Sequence, residues 1–542
     1  MYILYFNEQY KKMKVHHIPF QKTGYFSKII CDYLDKKSEL SDFYENFPDL
    51  EGFKKQIALK KLSYQPQSRT ILVDVLKRQF KNINTSDKSL QNIELLSNEN
   101  TFTITTGHQL NIFTGPLYFL YKIIATINLT KTLKKEFQNQ NFVPVYWMAT
   151  EDHDFDEIKY FNFKGGKVTW NRESSGAVGR LKTEGFDSFF NEFSKLIGNS
   201  IDANYLKELF QKAYLNHDNL TDATRYLVNE LFGAYGLVII DGDDTQLKQQ
   251  FIPAIKDELL NNTSFNEVSK IIENLGENYP IQVNPREINL FYLKDNLRER
   301  IIFENKQYKI NNTNLIFSEA EILNEVSNNP EHFSPNVIIR PLFQETVLPN
   351  LCYIGGGGEL AYWFQLKNYF DSVNTPFPIL LLRNSVLLVS DKQVVKCYKL
   401  NISLQDLFLK QEELISNKIK EISAIEIDFS KQKEYLQQQF KALKELARQT
   451  DGSFLGAVNA QEKKQLNGLD NLEKRLLKAQ KRKLSDVVER ITVLQNELFP
   501  NQSLEERTRN FSEIYLKMGN NFIPMLINAI KPLQLEFTII EY

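Results

Sequence analysis

The chemistry that this sequence could perform is concentrated in three short stretches, and the first of them is "TTGHQLNIFTGP", residues 105–116. A run of β-forming residues ends here at Gly-His-Gln, and Thr-Gly-Pro is typical of the start of a helix. Free N–H groups at a helix start can bind phosphate, and His108 could donate a hydrogen bond to it. A capped turn with a partly buried histidine is the alternative, because no Gly-x-Gly-x-x-Gly or Walker pattern is present. The candidate ligand-binding residues of this stretch are Thr106, Gly107, His108, Gln109, Thr114 and Gly115.

The second stretch is "MATEDHDFDEI", residues 148–158, where carboxylates and a histidine follow directly on an apolar run. Such a group could orient an ammonium group, act as a general base on an amine or bind a divalent cation. Its spacing is less regular than that of a hard-metal cage, so we expect no metal held by the protein alone. The alternative is a solvated acidic turn. The candidate residues are Glu151, Asp152, His153, Asp154 and Asp156.

The third stretch is "VIIRPLFQETVLPNLCYIGGGGELAYWFQLK", residues 337–367, with four successive glycines between a strand-like and a helix-like segment. Glycines leave the backbone open to close approach by a ligand. Glu359 at the predicted helix start would oppose a phosphate, so an amino group or a hydroxyl is an equally suitable guest. Arg340 and Arg383 each end a predicted strand, where they could bind a carboxylate or phosphate or pair with a nearby glutamate. The candidates here are Arg340, Gln344, Gly355, Gly356, Gly357, Gly358, Glu359, Trp363, Arg383 and Asn384.

Composition and charge exclude several classes of protein. The 66 basic and 67 acidic residues give a net charge of −1, so no general field attracts nucleic acid or an anionic membrane. The three unclustered cysteines argue against a disulfide framework and a Cys-rich zinc site, and they fit a reducing cytoplasm. No run approaches the roughly 20 apolar residues that span a bilayer, and no Gly-x-Ser-x-Gly or Ser-His-Asp arrangement indicates a hydrolase. We expect a soluble protein that holds any anionic ligand locally.

The elements that position these residues alternate between strands and helices. At 542 residues the chain is too long for one ordinary core. Residues 13–100 read as mostly helical, and residues 1–12 as an extension from an upstream start codon. Apolar runs separated by helical segments then predict a parallel, doubly wound α/β sheet with its ligand crevice at the carboxyl ends of the strands. Less regular stretches near 160–210 and 280–335 are predicted insertions into this 13–390 domain. The predicted strands are 102–106, 142–150, 236–241, 336–342 and 377–383.

From about residue 400 an apolar residue recurs every seven positions, which is typical of a coiled coil. One series runs from Phe408 to Leu443 and a second from Leu477 to Leu498, joined by "TDGSFLGAVN". Because Gly452 and Gly456 permit a reversal, we predict an antiparallel hairpin over about 404–499 within a 391–542 domain. So long an arm favours a homodimer.

These motifs together resemble one protein family. They are "TGHQLNIFTGPLYFLYK", "PVYWMATEDHDFDEI" and "RPLFQETVLPNLCYIGGGGELAYWFQLK", supported by "IPFQKTGYFSKIICDYL" and "SLEERTRNFSEIYLKMGNNFI". The order and length of the motifs are similar to those of the BshC family, the cysteine-adding enzymes of bacillithiol biosynthesis, from Met13 to near the end of the chain. The resemblance implies a core like the nucleotide-binding domain of class I aminoacyl-tRNA synthetases and a dimer-forming coiled coil. It also implies ligation of cysteine to the amine of glucosaminyl-malate, the last step of that pathway, with Mg-ATP as energy source.

The resemblance implies a role for each of the three stretches. His108, with the Thr114-Gly115 helix start, would position nucleotide phosphates and polarise the attacked carboxyl. Asp152, His153 and Asp154 would orient or deprotonate the sugar amine. The polyglycine turn and its neighbouring arginines would shape the pocket for cysteine and the malate carboxylates.

Two departures from the synthetase pattern leave the mechanism open. The Gly-His pair lacks a complete His-x-Gly-His motif, and no Lys-Met-Ser-Lys-Ser-like run follows the last strand. An adenylate and an acyl-phosphate route are therefore both open, and no cysteine-binding zinc site is evident. A nucleotide-binding scaffold that presents a coiled-coil arm, without chemistry of its own, is the alternative function.

Overall fold

A computed structural model describes residues 13–542, so the predicted N-terminal extension lies outside the described residues. By contacts the chain divides into two compact units. Within the described part, the first holds residues 13–21, Tyr25–Leu387 and Glu505–Ile540, and the second holds Lys22–Gly24, Leu388–Leu504 and Glu541–Tyr542. The sequence interpretation placed residues 391–542 together, whereas by contacts Glu505–Ile540 groups with the first unit. No helix within residues 13–542 is long and apolar enough to cross a membrane.

The strands are, in chain order, β1 Lys14–Ile18, β2 Thr101–His108, β3 Asn141–Met148, β4 Tyr160–Phe163, β5 Gly166–Thr169, β6 Val238–Asp241, β7 Leu290–Lys294, β8 Leu297–Glu304, β9 Gln307–Ile310, β10 Ile316–Phe317, β11 Phe333–Pro335, β12 Asn350–Gly355, β13 Ile379–Leu382, β14 Val386–Val389 and β15 Phe537–Glu541.

The α-helices of the first unit are Lys28–Leu34, Leu50–Ser63, Pro66–Gln79, Asp87–Leu95, Tyr118–Glu136, Phe155–Ile158, Phe186–Ile197, Ile201–Tyr214, Leu220–Phe232, Thr245–Gln249, Ile252–Asn261, Thr263–Gly276, Glu319–Asn328, Arg340–Val347, Gly357–Trp363, Lys367–Ser372, Phe511–Met518 and Phe522–Ala529. Those of the second unit are Asp391–Leu400, Gln411–Ile422, Ser430–Ala447, Gly452–Lys483 and Ser485–Leu498.

A five-stranded parallel sheet in the order β13-β12-β2-β3-β6 forms the centre of the first unit, which confirms the predicted doubly wound core. Every residue of β2 is buried, as expected for a strand covered on both faces. The chain adds β3 and β6 on one side of β2 and then β12 and β13 on the other. The strand order therefore reverses between β2 and β12, which is where ligands bind in open α/β sheets.

One predicted strand, residues 336–342, is wrong. Its second half begins the helix Arg340–Val347, with Pro341 in the first turn, where a missing N–H costs nothing. The strand that joins the sheet is instead β12, residues Asn350–Gly355. A short apolar run does not by itself distinguish a buried strand from a buried helix start.

The stretches predicted as insertions have folds of their own. Residues 160–210 contain the antiparallel pair β4-β5 and most of two helices, and residues 280–335 contain all of a five-stranded sheet in the order β10-β9-β8-β7-β11. Strands β1, β15 and β14 form a third, smaller sheet.

The second unit contains the predicted helical hairpin. Ion pairs join Lys433 to Glu473 and Lys444 to Glu462, so the two helices are antiparallel. The reversal lies at residues 448–451, not at the glycines: Asp451 caps the second helix, Gly452 begins it and Gly456 lies inside it. The Asp451 carboxylate accepts the N–H of Phe454 and so stabilises the start of the second helix, where the glycines were predicted to form the reversal.

Candidate functional site

His108 lies at the end of β2, beside the reversal in strand order. Its Nδ1 is 2.9 Å from the carbonyl oxygen of Gln109, so Nδ1 donates and Nε2 carries a lone pair. Nε2 is buried and has no hydrogen-bond partner among residues 13–542. Burial, reinforced by the charge of Lys122, lowers the pKa of His108 to about 3. The imidazole is therefore neutral and is poised to accept a hydrogen bond, not to donate one to phosphate.

Lys122, in the helix Tyr118–Glu136, links the segment that follows β2 to the helix that follows β12. Its ammonium donates to the carbonyl of Gly107 and lies 2.7 and 2.8 Å from the two carboxylate oxygens of Glu359. The hydroxyl of Tyr353 donates to the same carboxylate at 2.7 Å. Lys122 and Tyr353 were not among the predicted residues, although a single lysine within the apolar run "LYFLYKIIATI" is a signal that could have identified the first.

Arg340 reaches the same place from the start of its helix, not from a strand end as predicted. One guanidinium nitrogen donates to the hydroxyl of Tyr362 at 2.7 Å. The other lies 3.7 Å from where a Cβ on Gly107 would be, and the hydroxyl of Tyr353 would lie at 3.3 Å. A side chain at this buried position would therefore crowd the Tyr353 hydroxyl and stand beside the guanidinium of Arg340.

Arg383 follows β13 and is buried. It donates to Glu506 at 2.7 Å and to the carbonyl of Asn384 at 3.0 Å, and its guanidinium lies 4.9 Å from the ring centre of Tyr118. The second oxygen of Glu506 accepts the N–H of Val386 at 3.0 Å. Of the two roles that the sequence left open for Arg383, pairing with a glutamate is the one observed.

Thr114 and Gly115 do not start a helix, because the helix begins at Tyr118. The amide of Asn510 donates to the carbonyls of Phe113 and Gly115 at 2.8 and 2.7 Å. Gly115 has a φ of +61°, and a Cβ there would lie 2.7 Å from Asn111. This loop is held by a distant segment of the chain, whereas the buried hydroxyl of Thr114 has no hydrogen-bond partner among residues 13–542. Ligand binding by Thr114 and Gly115 stays a prediction.

The acidic loop meets β2 through Gln109. Its amide donates to Asp152 at 2.9 Å and to Glu157 at 2.7 Å. Burial would raise the pKa of Asp152, but the hydrogen bond from Gln109 and the charge of Arg298 outweigh it and lower that pKa. Asp152 is therefore held as a carboxylate next to the residue that follows His108.

The other members of the loop separate into two groups. The half-exposed His153 accepts a hydrogen bond from Arg298 on β8 through Nδ1, while Asp154 is exposed and Asp156 pairs with Lys159 at the surface. Glu151 pairs instead with the buried Lys248, in a separate network at the ends of β3 and β6. That network also contains Asp243, held by Arg180 at 2.7 Å, and Asp241, whose pKa is raised to about 6 by burial and by Asp243.

Two remaining candidates support the site or lie away from it. Trp363 is buried with its ring 4.7 Å from that of Tyr353, so it packs behind the crevice. Gln344 contacts Glu345, a partner of Asn350 at the opposite end of β12 from Gly355. No cluster of three or more His, Cys, Asp or Glu within residues 13–542 could hold a metal ion.

Comparison with known proteins gives two matches to family models. "Bacillithiol biosynthesis BshC, N-terminal Rossmann-like domain" matches residues 13–384, and "Bacillithiol biosynthesis BshC, C-terminal coiled-coil domain" matches residues 386–542. These descriptions agree with the Rossmann-like sheet and the hairpin.

Similar full-length proteins carry the name "Putative cysteine ligase BshC". That of Flavobacterium johnsoniae is 61% identical over 96% of this chain and 99% of its own length. Those of Flavobacterium psychrophilum and Christiangramia forsetii are 59% and 54% identical over 97% and 98% of this chain, and over 99% of each relative. A solved structure titled as an arginyl-tRNA synthetase from Campylobacter jejuni aligns over 85% of this chain and 98% of its own, with 11% identity. The TM-score of this alignment is 0.22.

Proposed function

Because the chain belongs to the BshC family of bacillithiol biosynthesis, we propose that it is an ATP-dependent ligase that joins cysteine to the amine of glucosaminyl-malate. The observation that carries this proposal is the convergence of His108, the Lys122–Glu359 pair and Arg340 where the strand order reverses. That arrangement brings cations, a carboxylate and an unsatisfied imidazole nitrogen to one ligand crevice.

The crevice suits groups of both charges. Arg340 beside Gly107 favours a phosphate or carboxylate oxygen, since a guanidinium donates several parallel hydrogen bonds and no side chain intervenes. ATP, when bound, supplies the activation of the cysteine carboxyl. Arg383 is already bound by Glu506, so we assign it the role of holding the end of β13 in place.

His108 acts here as a neutral acceptor. Its Nε2 can receive an N–H or O–H of a substrate, which would satisfy a buried lone pair that is otherwise unpaired. A hydrogen bond to a charged donor stabilises by about 1.5–3 kcal/mol, so this contact is worth roughly ten- to a hundredfold in kcat/KM.

Asp152 is the group we assign to the attacking amine. It is ionised, it is fixed by Gln109, and that glutamine follows His108 directly in the chain. An amine must be neutral to attack an acyl centre, and a carboxylate can orient it and accept its proton as the amide forms. Holding both reactants in place can lower the barrier by about 7–11 kcal/mol.

A single incubation tests this function. The purified protein is incubated with ATP, cysteine and glucosaminyl-malate, and the amide product is detected by mass spectrometry. One control omits ATP, and a second replaces cysteine with serine. AMP with pyrophosphate would indicate an adenylate route, and ADP with phosphate an acyl-phosphate route. Folded protein that binds ATP but forms no amide would contradict the proposal and favour the scaffold function.

We also propose a cytoplasmic homodimer that forms through the hairpin. The cysteines at positions 31, 352 and 397 are free thiols, as a reducing compartment favours. The hairpin exposes large apolar side chains in the first helix and the second, including Tyr435 at 66% and Leu472 at 51%. Changing both residues to Lys should give a monomer in sedimentation, whereas Glu445→Lys at an exposed polar position should not. A dimer that persists in the double variant would exclude this surface.

A further inference from the structure

Arg298 reaches the acidic loop from the inserted five-stranded sheet and is fixed on several sides. From β8 its Nε donates to Ser334 at 3.1 Å, and a terminal nitrogen donates to the carbonyl of Pro335 at 3.4 Å. The guanidinium carbon lies 4.0 Å from the ring centre of Phe291. An arginine anchored in this way presents its remaining nitrogen in one direction.

That remaining nitrogen, Nη1, lies 2.5 Å from Nδ1 of His153. A guanidinium only donates, because it stays protonated in proteins, so Nδ1 must be the acceptor. The proton of a neutral His153 must then reside on Nε2. The carboxylate of Asp152 lies 3.8 Å from the same Nδ1, which is too far for a hydrogen bond, and a charged pair there would require a proton on the nitrogen that Arg298 already uses.

Phe291 also contacts His153, with its ring centre 5.5 Å from that of the imidazole. The same aromatic side chain thus packs against both partners of the hydrogen bond. Burial and the charge of Arg298 lower the pKa of His153, against the opposing charges of Asp152, Asp154 and Glu299. The neutral form is the one that predominates near neutral pH.

We propose that Arg298 is a positioning residue that fixes His153 as the neutral tautomer with its proton on Nε2. The acidic loop then offers a hydrogen-bond donor, His153 Nε2–H, next to an acceptor, the Asp152 carboxylate. Such a pair recognises a substrate that carries a carboxylate close to an amine. His153 is consequently a specificity residue and not the general base that its position in the loop suggests. This assignment of a substrate rests on the proposed function, whereas the tautomer does not.

Nuclear magnetic resonance of the free, full-length protein tests the tautomer. The chain has 6 histidines, so selective ¹⁵N-histidine labelling gives few signals, and His153→Gln identifies the signals of interest by their loss. We expect a protonated Nε2 and an unprotonated Nδ1 for His153. In Arg298→Met the preference should weaken and the pKa of His153 should rise towards its ordinary value. In Arg298→Lys one donor returns, and part of the preference should return with it.

The other histidine signals report whether each variant remains folded. A wild-type His153 protonated on Nδ1, or an unchanged tautomer in a folded Arg298→Met variant, would overturn the proposal. If Arg298→Met does not fold, Phe291→Leu, which removes only the shared packing, should still broaden the tautomer distribution. An unchanged distribution there would also count against it.

Kinetics tests the substrate assignment separately. Arg298→Met should raise the KM for glucosaminyl-malate by about tenfold, the loss of a single directed hydrogen bond, and leave the KM for ATP unchanged. Equal effects on both substrates would refute the specificity role. A protein with the expected tautomer but no ligase activity would refute the proposed function and leave the positioning role intact.

Discussion

Lys122 and Glu359, 237 positions apart in the chain, form an ion pair at 2.7 and 2.8 Å. They lie in the helices that follow β2 and β12, the two strands between which the strand order reverses. The side chain of Lys122 is 2% exposed and that of Glu359 is 28% exposed. Burial lowers the pKa of Lys122, while the charge of the same lysine keeps the pKa of Glu359 below its ordinary value in spite of burial. The pair therefore links the elements that follow β2 and β12, and in the proposed function it lines the ligand crevice.

Lys122→Met should destabilise the first unit by about 3 kcal/mol, because it leaves a largely buried carboxylate without its partner. Adding Glu359→Gln should recover part of that loss. Urea unfolding followed by tryptophan fluorescence measures both, since Trp147, Trp170 and Trp363 all lie in the first unit. Arg69→Met is a matched control, because Arg69 is a buried cation that binds Thr101 at the opposite end of β2. The control should lose stability but keep ligase turnover per folded molecule, and the Lys122 variant should lose both.

The neutral His108 predicts a defined pH dependence of stability. Its pKa is about 3 in the folded chain, against 6.5 without burial, so between these values the unfolded chain binds a proton that the folded chain does not. Stability is unaffected by this group above pH 6.5 and falls as the pH drops towards 3, by at most about 1.4 kcal/mol per pH unit. His108→Gln should flatten the profile in this window, with His217→Gln as the control for loss of a histidine. Identical slopes in wild type and His108→Gln would show that His108 does not behave as described.

Glu506→Ala should cost about 3–5 kcal/mol, since it leaves the buried guanidinium of Arg383 without its carboxylate partner and removes the acceptor of the Val386 N–H. Glu94→Ala breaks an exposed pair with Lys77 and should cost less than about 1 kcal/mol. Tryptophan fluorescence during urea unfolding again distinguishes the two. Similar small effects would mean that the 505–540 segment contributes little to the stability of the first unit.

Asp152 and Asp156 lie in one loop but differ in environment, which allows a matched comparison. Asp152→Asn removes the carboxylate that Gln109 fixes, and it should raise the KM for glucosaminyl-malate by about tenfold or more. Asp156→Asn alters a side chain that is 84% exposed and paired with Lys159 at the surface, so the kinetics of this variant should match wild type. If the two substitutions changed the steady-state rates equally, Asp152 would not be part of the site.

The sequence was sufficient to predict the strands that are buried along their whole length. All residues of β2 and nearly all of β3 are buried, so their apolar runs reveal them directly, together with the loops that follow. Residues 336–342 show the limit, because an apolar run that leads into Arg-Pro fits the start of a helix as well as a strand. In the hairpin, the second helix begins at Gly452 with Asp451 as its cap, whereas the glycines had indicated only that a reversal was possible nearby.

For the candidate site, the sequence placed residues such as His108 and Arg383 at the carboxyl ends of strands, where the structure also has them, but it did not show their partners. Lys122, Arg298 and Glu506 contribute through contacts with residues 237, 145 and 123 positions away, and no local pattern records such distances. The neutral state of His108 depends likewise on burial and on the backbone carbonyl next to it. Residue types therefore predicted which side chains could act, and only the fold determined their protonation and their neighbours.

The hydrogen bonds from Asn510 to the carbonyls of Phe113 and Gly115 connect positions 397 and 395 residues apart. During synthesis the ribosome releases the loop after β2 long before it releases this asparagine, and domains otherwise tend to fold from the N-terminal end as they emerge. The strands of the parallel sheet all come from residues 101–382, but the loop beside His108 gains its support only when Asn510 has been synthesised. Two segments far apart in the chain must therefore both be present before this loop is held, and loss of Asn510 should loosen the loop without removing a strand of the parallel sheet.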